Sequence, residues 1–296
     1  MVQSAFAFSI MTLLVKLVGQ RLPSQEIVAA RALVSLVLSY GLLRRAGVSP
    51  WGYERRWLWL RGVLGFLGLS CVFGAVTHLP LAESTVLQYL HPAITALLAG
   101  LFLGEALSGR LFLATATSLL GVALVARPEF LFGANAGSLD PFWVGIALCG
   151  AFFSASAYVV VRRLSRTEHP LVIVFYFPLV TLPLSIPTML PQFIMPEGRE
   201  WLFLLGIGLA TQIGQVSLTR GLSQLPAATG TALSYLQVVF AAVWGYWIFG
   251  EGIDGWTILG GSLVVVSAFG VAQNQSGAKN KQAARSGETS DRPQRD

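Results

Sequence analysis

Residues 79–127 read LPLAESTVLQYLHPAITALLAGLFLGEALSGRLFLATATSLLGVALVAR, and this stretch decides the fold. At an offset of about 146 residues it returns without a gap, as LPAATGTALSYLQVVFAAVWGYWIFGEGIDGWTILGGSLVVVSAFGVAQ over residues 225–273. Leu79-Pro80 falls on Leu225-Pro226, Tyr89-Leu90 on Tyr235-Leu236, Gly104-Glu105 on Gly250-Glu251 and Gly109 on Gly255. Each copy is an apolar segment of membrane-spanning length, a short Gly-Glu turn and a second such segment. The chain is therefore two related halves of roughly 150 residues each. That period is too long for a solenoid and fits the internal repeats of secondary transporters.

Composition agrees. Apolar residues make up 54% of the 296 and charged residues 11%, where a soluble domain carries about 25% charged residues. The net charge of +6 does not point to nucleic acid, because the Lys and Arg lie beside apolar runs and read as topology signals. Cys71 and Cys149 both fall mid-span, which leaves no disulfide framework and no metal-ligand spacing. The N-terminal run lacks a basic region and a small-residue cleavage site, so a cleaved signal peptide is not expected.

Spans are expected at 3–19, 27–43, 57–77, 83–103, 110–126, 141–161, 170–190, 201–221, 227–248 and 256–273. The fold class is an all-α membrane protein, ten transmembrane helices arranged as two inverted five-helix repeats. The first repeat covers 1–127, an external linker 128–140, the second repeat 141–275, and a disordered cytoplasmic tail 276–296. Pro178, Pro183 and Pro187 predict a kink in the seventh span. Arg44, Arg45, Arg55 and Arg56 follow the second span, Arg162, Arg163 and Arg166 the sixth, and five basic residues lie in the tail. An even number of spans puts all three groups on one side when both termini are cytoplasmic. Each half then holds an odd number of helices, and the second is inserted upside down relative to the first.

The two five-helix repeats, Pro92 followed by Gly104-Glu105, the echo at Gly250-Glu251, and the spacing Pro23, Glu26, Arg31 resemble the EamA-type transporters of the drug/metabolite transporter superfamily. The resemblance covers residues 3–273; Val238 stands where the first copy has Pro92. It implies a ten-helix inner-membrane carrier with a central cavity that exports amino acids, nucleobases or similar metabolites. No cofactor is expected. The expected partners are a small-molecule substrate and the lipid bilayer, not nucleic acid, with the chain acting as a monomer or homodimer.

The duplication is an internal control on candidate site residues. The Gly-Glu turns occur in both halves and read as scaffold: Gly ends a helix and Glu answers backbone N–H groups of the next one. Ala96, Gly100 and Gly104, and Gly206, Ala210 and Gly214, read as close-packing faces. Ser84, Gln88, His91 and Thr95 form a polar stripe on the fourth span, and a stripe in a lipid-spanning helix faces protein or water. Ser234 and Gln237 are the counterparts of Gln88 and His91. Gln212 and Gln215 make a polar wall on the eighth span, and Tyr158 on the sixth span matches Thr12 on the first. These residues are the expected substrate contacts. His91, as a neutral imidazole, offers both a donor and an acceptor. Lys16, Glu26, Arg31, His78 and Glu83 lie near the non-cytoplasmic helix ends. Phe177, Val172 and Thr229 replace Arg31, Glu26 and Glu83 in the other half, so the fold does not demand those charges. Lys16, Glu26, Arg31 and Glu83 are expected to form an outer gate or anion-binding wall.

Three function classes remain. A carrier exporting a small metabolite by alternating access leads. An uptake or exchange carrier for nucleotide-type or other anionic metabolites, and a non-transporting scaffold, are the alternatives. An intramembrane enzyme would need a nucleophile–base pair or a His-Glu-x-x-His set, and neither spacing occurs.

Overall fold

The computed structural model describes residues 1–79, 81–106, 108–126, 140–250 and 255–270, with side chains for all of these but 77 and 81–83. Residues 128–139 of the expected linker, the expected tail and Glu251 lie outside the described residues, as does the side chain of Glu83. Twelve helices are described. They are α1 (Val2–Val18), α2 (Ser24–Arg45), α3 (Arg55–His78), α4 (Leu81–Gln88), α5 (His91–Leu103) and α6 (Gly109–Ala126), then α7 (Pro141–Leu164), α8 (Pro170–Met189), α9 (Arg199–Gln224), α10 (Ala227–Ala232), α11 (Leu236–Phe249) and α12 (Gly255–Gly270). No strand occurs among the described residues. Eight segments are long and apolar enough to cross a membrane, and Val2–Val18 and Gly255–Gly270 are shorter apolar helices. Leu101, Phe102, Phe112 and Trp247 are all more than two-thirds exposed. Large side chains at that exposure suit a lipid surface better than water.

Local chemistry sets the helix ends. Pro141 and Pro170 occupy first-turn positions, where a missing N–H costs nothing. Asp140 caps the first by accepting from Phe142 N at 2.9 Å, and the His169 ring does the same for Leu171 N at 3.3 Å. Gly104 and Gly250 end α5 and α11 at φ +64° and +66°, the left-handed region that excludes other side chains at low cost. Nothing approaches the Cβ position of Gly104, so its role is this turn and not the close packing expected of it. Gly206 and Gly214 do serve packing: a Cβ there would meet Leu14 and Phe8 of α1 at 2.9 and 2.7 Å. α8 runs as an unbroken helix through Pro178, Pro183 and Pro187, as protein-buried membrane helices can.

The packing partners follow the duplication. α1 lies on α9 and α3 on α7; α3 also touches α8, and α2 touches α9; α5 lies on α7 and α11 on α1; α2 packs on α8. α6 and α12 cross at Gly121 and Gly260, where each backbone carbonyl lies about where the other residue's Cβ would be. The Glu54–Arg163 pair (3.8 Å) and the Thr167 to Glu54 hydrogen bond (2.7 Å) bring the two basic loops to the same end of the bundle.

Candidate substrate-binding site

The fourth span is not one helix. α4 stops at Gln88, Tyr89 and Leu90 form a turn, and α5 begins at His91. Pro92 is the cause: it has no N–H for the carbonyl four residues back, which is that of Gln88. His91 takes that carbonyl instead, through Nδ1 at 3.0 Å. A carbonyl only accepts, so Nδ1 carries the proton and the neutral ring keeps Nε2 as an acceptor. Nε2 is buried without a hydrogen-bond partner. The expected double role of His91 is thus corrected: its donor is spent on the helix break, and only its acceptor is left for another group. The Tyr89 carbonyl, in the same turn, accepts from Tyr235 Oη at 3.0 Å. The ninth span is interrupted at the matching place by a 3₁₀ turn, Leu233–Tyr235. Val238 stands there in place of Pro92 and keeps an N–H that Pro92 lacks.

Residues related by the duplication meet. Tyr89 and Tyr235 are equivalent positions, and their rings stack with centroids 5.7 Å apart. His91 lies against Tyr158, centroids 5.4 Å apart. The positions equivalent to these two are Gln237 and Thr12, and Gln237 Nε2 donates to Thr12 Oγ1 at 3.3 Å. Both contacts join one half to the other. The first is buried and aromatic; the second is more exposed. Thr95 and Ser234 satisfy themselves within their own helices, donating to the carbonyls of His91 (2.7 Å) and Thr231 (2.6 Å). Ser84 is buried on α4, and Gln88 is half-buried.

A second polar centre lies between α2, α3, α8 and α9. Gln212 and Ser39 exchange hydrogen bonds at 2.9 and 3.1 Å. Gln215 Oε1 accepts from Arg61 Nη2 at 3.2 Å. The guanidinium carbons of Arg61 and Arg31 lie 4.5 and 5.8 Å from the centre of the Phe177 ring. Arg31, Gln212 and Gln215 line one tight cavity with Ser35, Thr181 and Thr211. Tyr158 lies within electrostatic range of Arg61, which links this centre to His91.

Of the expected outer gate, Glu83 has its side chain outside the described residues, and the contacts of the others are these. Glu26 Oε2 accepts from Ile194 N at 3.1 Å, tying α2 to the segment before α9. Arg31 turns inward to Phe177 and to the Met11 sulfur. Lys16 Nζ stands 4.1 Å over the Phe249 ring, and His78 stacks on Trp143 at 3.5 Å. Arg31 lies well inside α2, which lets its long side chain reach Phe177 and Met11 instead of the helix end.

Two residues carry more than their sequence context announces. Arg61 lies about one turn inside the third span, close behind Arg55 and Arg56, and is not among the expected site residues, yet it is 3% exposed. Its counterpart at Ile207 was the available signal. Glu105 does not serve the helix that follows it. Its carboxylate accepts from Arg162 Nε at 2.9 Å and from Ala227 N at 2.7 Å, while Arg162 Nη1 donates to the carbonyls of Leu222 and Ser223. The Gly-Glu turn of one half thus clamps the α9–α10 junction of the other.

The EamA-like transporter family model matches residues 1–127 and 141–273. The pseudopaline exporter CntI of Pseudomonas aeruginosa is 36% identical over 277 residues, covering 93% of this chain and 95% of that protein. Solute carrier family 35 member G1 of Homo sapiens is 31% identical, covering 90% of this chain and 75% of that protein. A riboflavin transporter of Vibrio cholerae is 25% identical, covering 85% and 84%. A solved crystal structure, 20% identical, superposes with a TM-score of 0.75 over 91% of this chain and 96% of that chain; at that identity the likeness is one of fold.

Proposed function

The chain belongs to the EamA-like transporter family, whose members here are membrane transporters and not enzymes, and from that premise we propose that it is a secondary carrier exporting a small metabolite by alternating access. In this reading the ten spans are two inverted repeats, 1–127 and 141–275, both termini are in the cytoplasm, and 128–140 faces outward. The packing scheme supports it: exchanging the halves turns α3–α7 into α9–α1, α3–α8 into α9–α2 and α5–α7 into α11–α1, and returns α2–α8 to itself.

One observation carries the site. Tyr89 and Tyr235, equivalent positions of the two halves, touch each other at the level of both helix interruptions. In an inverted repeat, equivalent residues can meet only near the axis, which lies at mid-membrane, where carriers of this design place substrate between broken helices. We assign substrate contact to His91 Nε2, Tyr158, Gln215 and Gln237 around that point. Ser84, Gln88, Thr95, Gln212 and Ser234 support their geometry. Glu105 and Arg162 close the cytoplasmic end in this conformation. Export is favoured by the similarity to the Pseudomonas exporter. The uptake reading has support in weaker similarity to a Rickettsia felis protein described as an S-adenosylmethionine uptake transporter, 23% identical.

Reconstitution tests the carrier directly. Liposomes loaded with a panel of labelled amino acids, nucleobases and organic acids should release at least one faster with protein than without, and show counterflow with it. Binding without flux for every member would leave a scaffold or receptor. For topology, Ser138→Cys in a Cys71- and Cys149-free background should react with an impermeant maleimide on intact cells. Reaction only after permeabilisation would reverse the orientation.

A further inference from the structure

The cavity between α2, α8 and α9, together with Arg61 of α3 behind its Phe177 and Gln215 wall, holds more hydrogen-bond donors than the protein uses. Arg31 and Arg61 are 7% and 3% exposed, and neither pairs with a carboxylate among the described residues. Of five N–H groups each, Arg61 donates one to Gln215 and Arg31 one to a thioether. Among the described residues Arg61 Nε has no partner, and neither do the hydroxyls of Ser35, Thr181 and Thr211, all three buried and all lining the cavity. A buried unpaired charge costs several kcal/mol, and orphan donors add to that.

Snorkelling does not account for Arg61. Side chains on a helix tilt toward its N-terminus, which for α3 is the end beside Arg55 and water. Arg61 Nη1 instead lies against Gly65, one turn deeper, in space a Cβ would occupy. Its head is turned away from the near surface and toward Phe177. The position of the cavity agrees. Arg31 and Phe177 are equivalent positions of the two halves, and so are Ser35 and Thr181; all four bound the same space. By the axis argument above, that space is at mid-membrane.

The geometry points to a binding site for an organic dianion, a small metabolite with two carboxylates held by the Arg31 and Arg61 guanidiniums. Guanidinium forks match carboxylates in plane and charge. Gln215 and the three hydroxyls complete the donor set. This names the substrate class of the carrier proposed above and rests on that reading. In the conformation described, the cavity has closed to about the size of a water, so cargo enters when α2 and α8 separate. The charges then attract it from either side, and the charge of the cargo lowers the cost of closing over them.

The test is binding to the purified full chain in detergent, by calorimetry and thermal shift. The probes are linear dicarboxylates from malonate to adipate, their monoamides, and glycerol phosphate. At least one dicarboxylate should bind with an affinity tenfold or more above its monoamide. Arg31→Gln and Arg61→Gln should each lose that preference, while the control Arg21→Gln keeps it. The unliganded variants should melt at or above the parent midpoint, since each removes an unpaired buried charge. Equal binding of dicarboxylate and monoamide, or a melting loss in both variants with no change in preference, would overturn the assignment. Arginine-dependent binding of glycerol phosphate alone would replace carboxylates with phosphate and overturn it also. Arginine-dependent binding without flux in liposomes would sustain the site and defeat the carrier reading. Flux indifferent to cargo charge would do the reverse.

Discussion

The two ends of the bundle are both held by an arginine between carboxylates and carbonyls, yet they are built for different purposes. At the end of the basic loops, Arg162 and Glu105 are 18% and 11% exposed, and their bonds join α5, α7, and the α9–α10 junction. At the opposite end, Arg21 reaches Glu200 at 2.6 Å, Glu197 at 3.1 Å and the Met195 carbonyl at 2.9 Å, with Arg21 40% and Glu197 80% exposed. The bond lists are alike in length. Water and salt screen the second set and barely reach the first. Burial, more than the number of bonds, separates a clamp that commits both halves to one arrangement from a tether that trims a loop. The same contrast recurs at mid-bundle, where His91–Tyr158 is buried and Gln237–Thr12 more open.

The largest effect is therefore expected at the buried clamp. Glu105→Ala leaves Arg162 partly buried without its counter-charge and frees Ala227 N. Losing one partner of such a pair costs about 3–5 kcal/mol. Glu105→Ala and Arg162→Ala should each lower the melting midpoint in detergent and abolish transport. Glu105→Ala with Arg162→Ala should melt above either single variant, because no lone charge remains. Parent-like midpoints in both single variants would show that burial does not divide the two ends.

A middle-sized effect is expected at His91, where two nitrogens have separate duties. The amide of Asn can stand in for Nδ1 and that of Gln for Nε2. His91→Asn should keep the Gln88 carbonyl satisfied and the midpoint near the parent's, yet weaken substrate affinity about tenfold, or about 1.4 kcal/mol. His91→Gln should retain part of the affinity but melt lower, since a buried orphan carbonyl costs about 1–3 kcal/mol. His91→Ala should suffer both losses. Gln237→Ala, at the more open equivalent position, should change affinity by only a few-fold. Affinity equal in Asn and Gln variants would reduce His91 to a helix-break cap.

How far this was legible in the sequence depends on how far each side chain acts from its own backbone. The Gly104 and Gly250 helix ends are local events and could be read directly. The duplication made His91 equivalent to Gln237 and Tyr158 to Thr12, which is why the cross-half contacts involve residues already singled out. Contacts made by long charged side chains were not legible. Glu105 acts at Ala227, 122 residues away, and Arg61 turns past Gly65 against the usual tilt. Glu26, Arg31 and Lys16 share a depth in the sequence, but Arg31 reaches inward to Phe177 and Met11. Pro92 stands inside a span read as continuous over 83–103; that it breaks the helix, and that the orphaned carbonyl takes the His91 donor, follows only from the turn's geometry.

The smallest effect is expected at the exposed tether, and it sharpens the comparison because its charge is the strongest paired on paper. Hydrogen bonding to Glu200 is the main reason the Arg21 guanidinium holds its proton even more firmly than usual, with Glu197 adding to the pull. That shift gives no pH dependence near neutrality: a raised arginine pKa adds stability that is fully present below the unfolded value and is lost only as pH climbs past the folded one, and solvent screening keeps that contribution small. Arg21→Ala should therefore melt within measurement scatter of the parent from pH 6 to 8. Any small difference at low ionic strength should vanish at high salt, since Arg21 and Glu197 are open to solvent and only Glu200, 19% exposed, is sheltered. Transport should persist, because the tether joins the α1–α2 turn to the start of α9 without touching the cavity. A melting loss comparable to that of Glu105→Ala, insensitive to salt, would mean that the outer end is held as tightly as the inner one. Burial would then be the wrong variable for telling them apart.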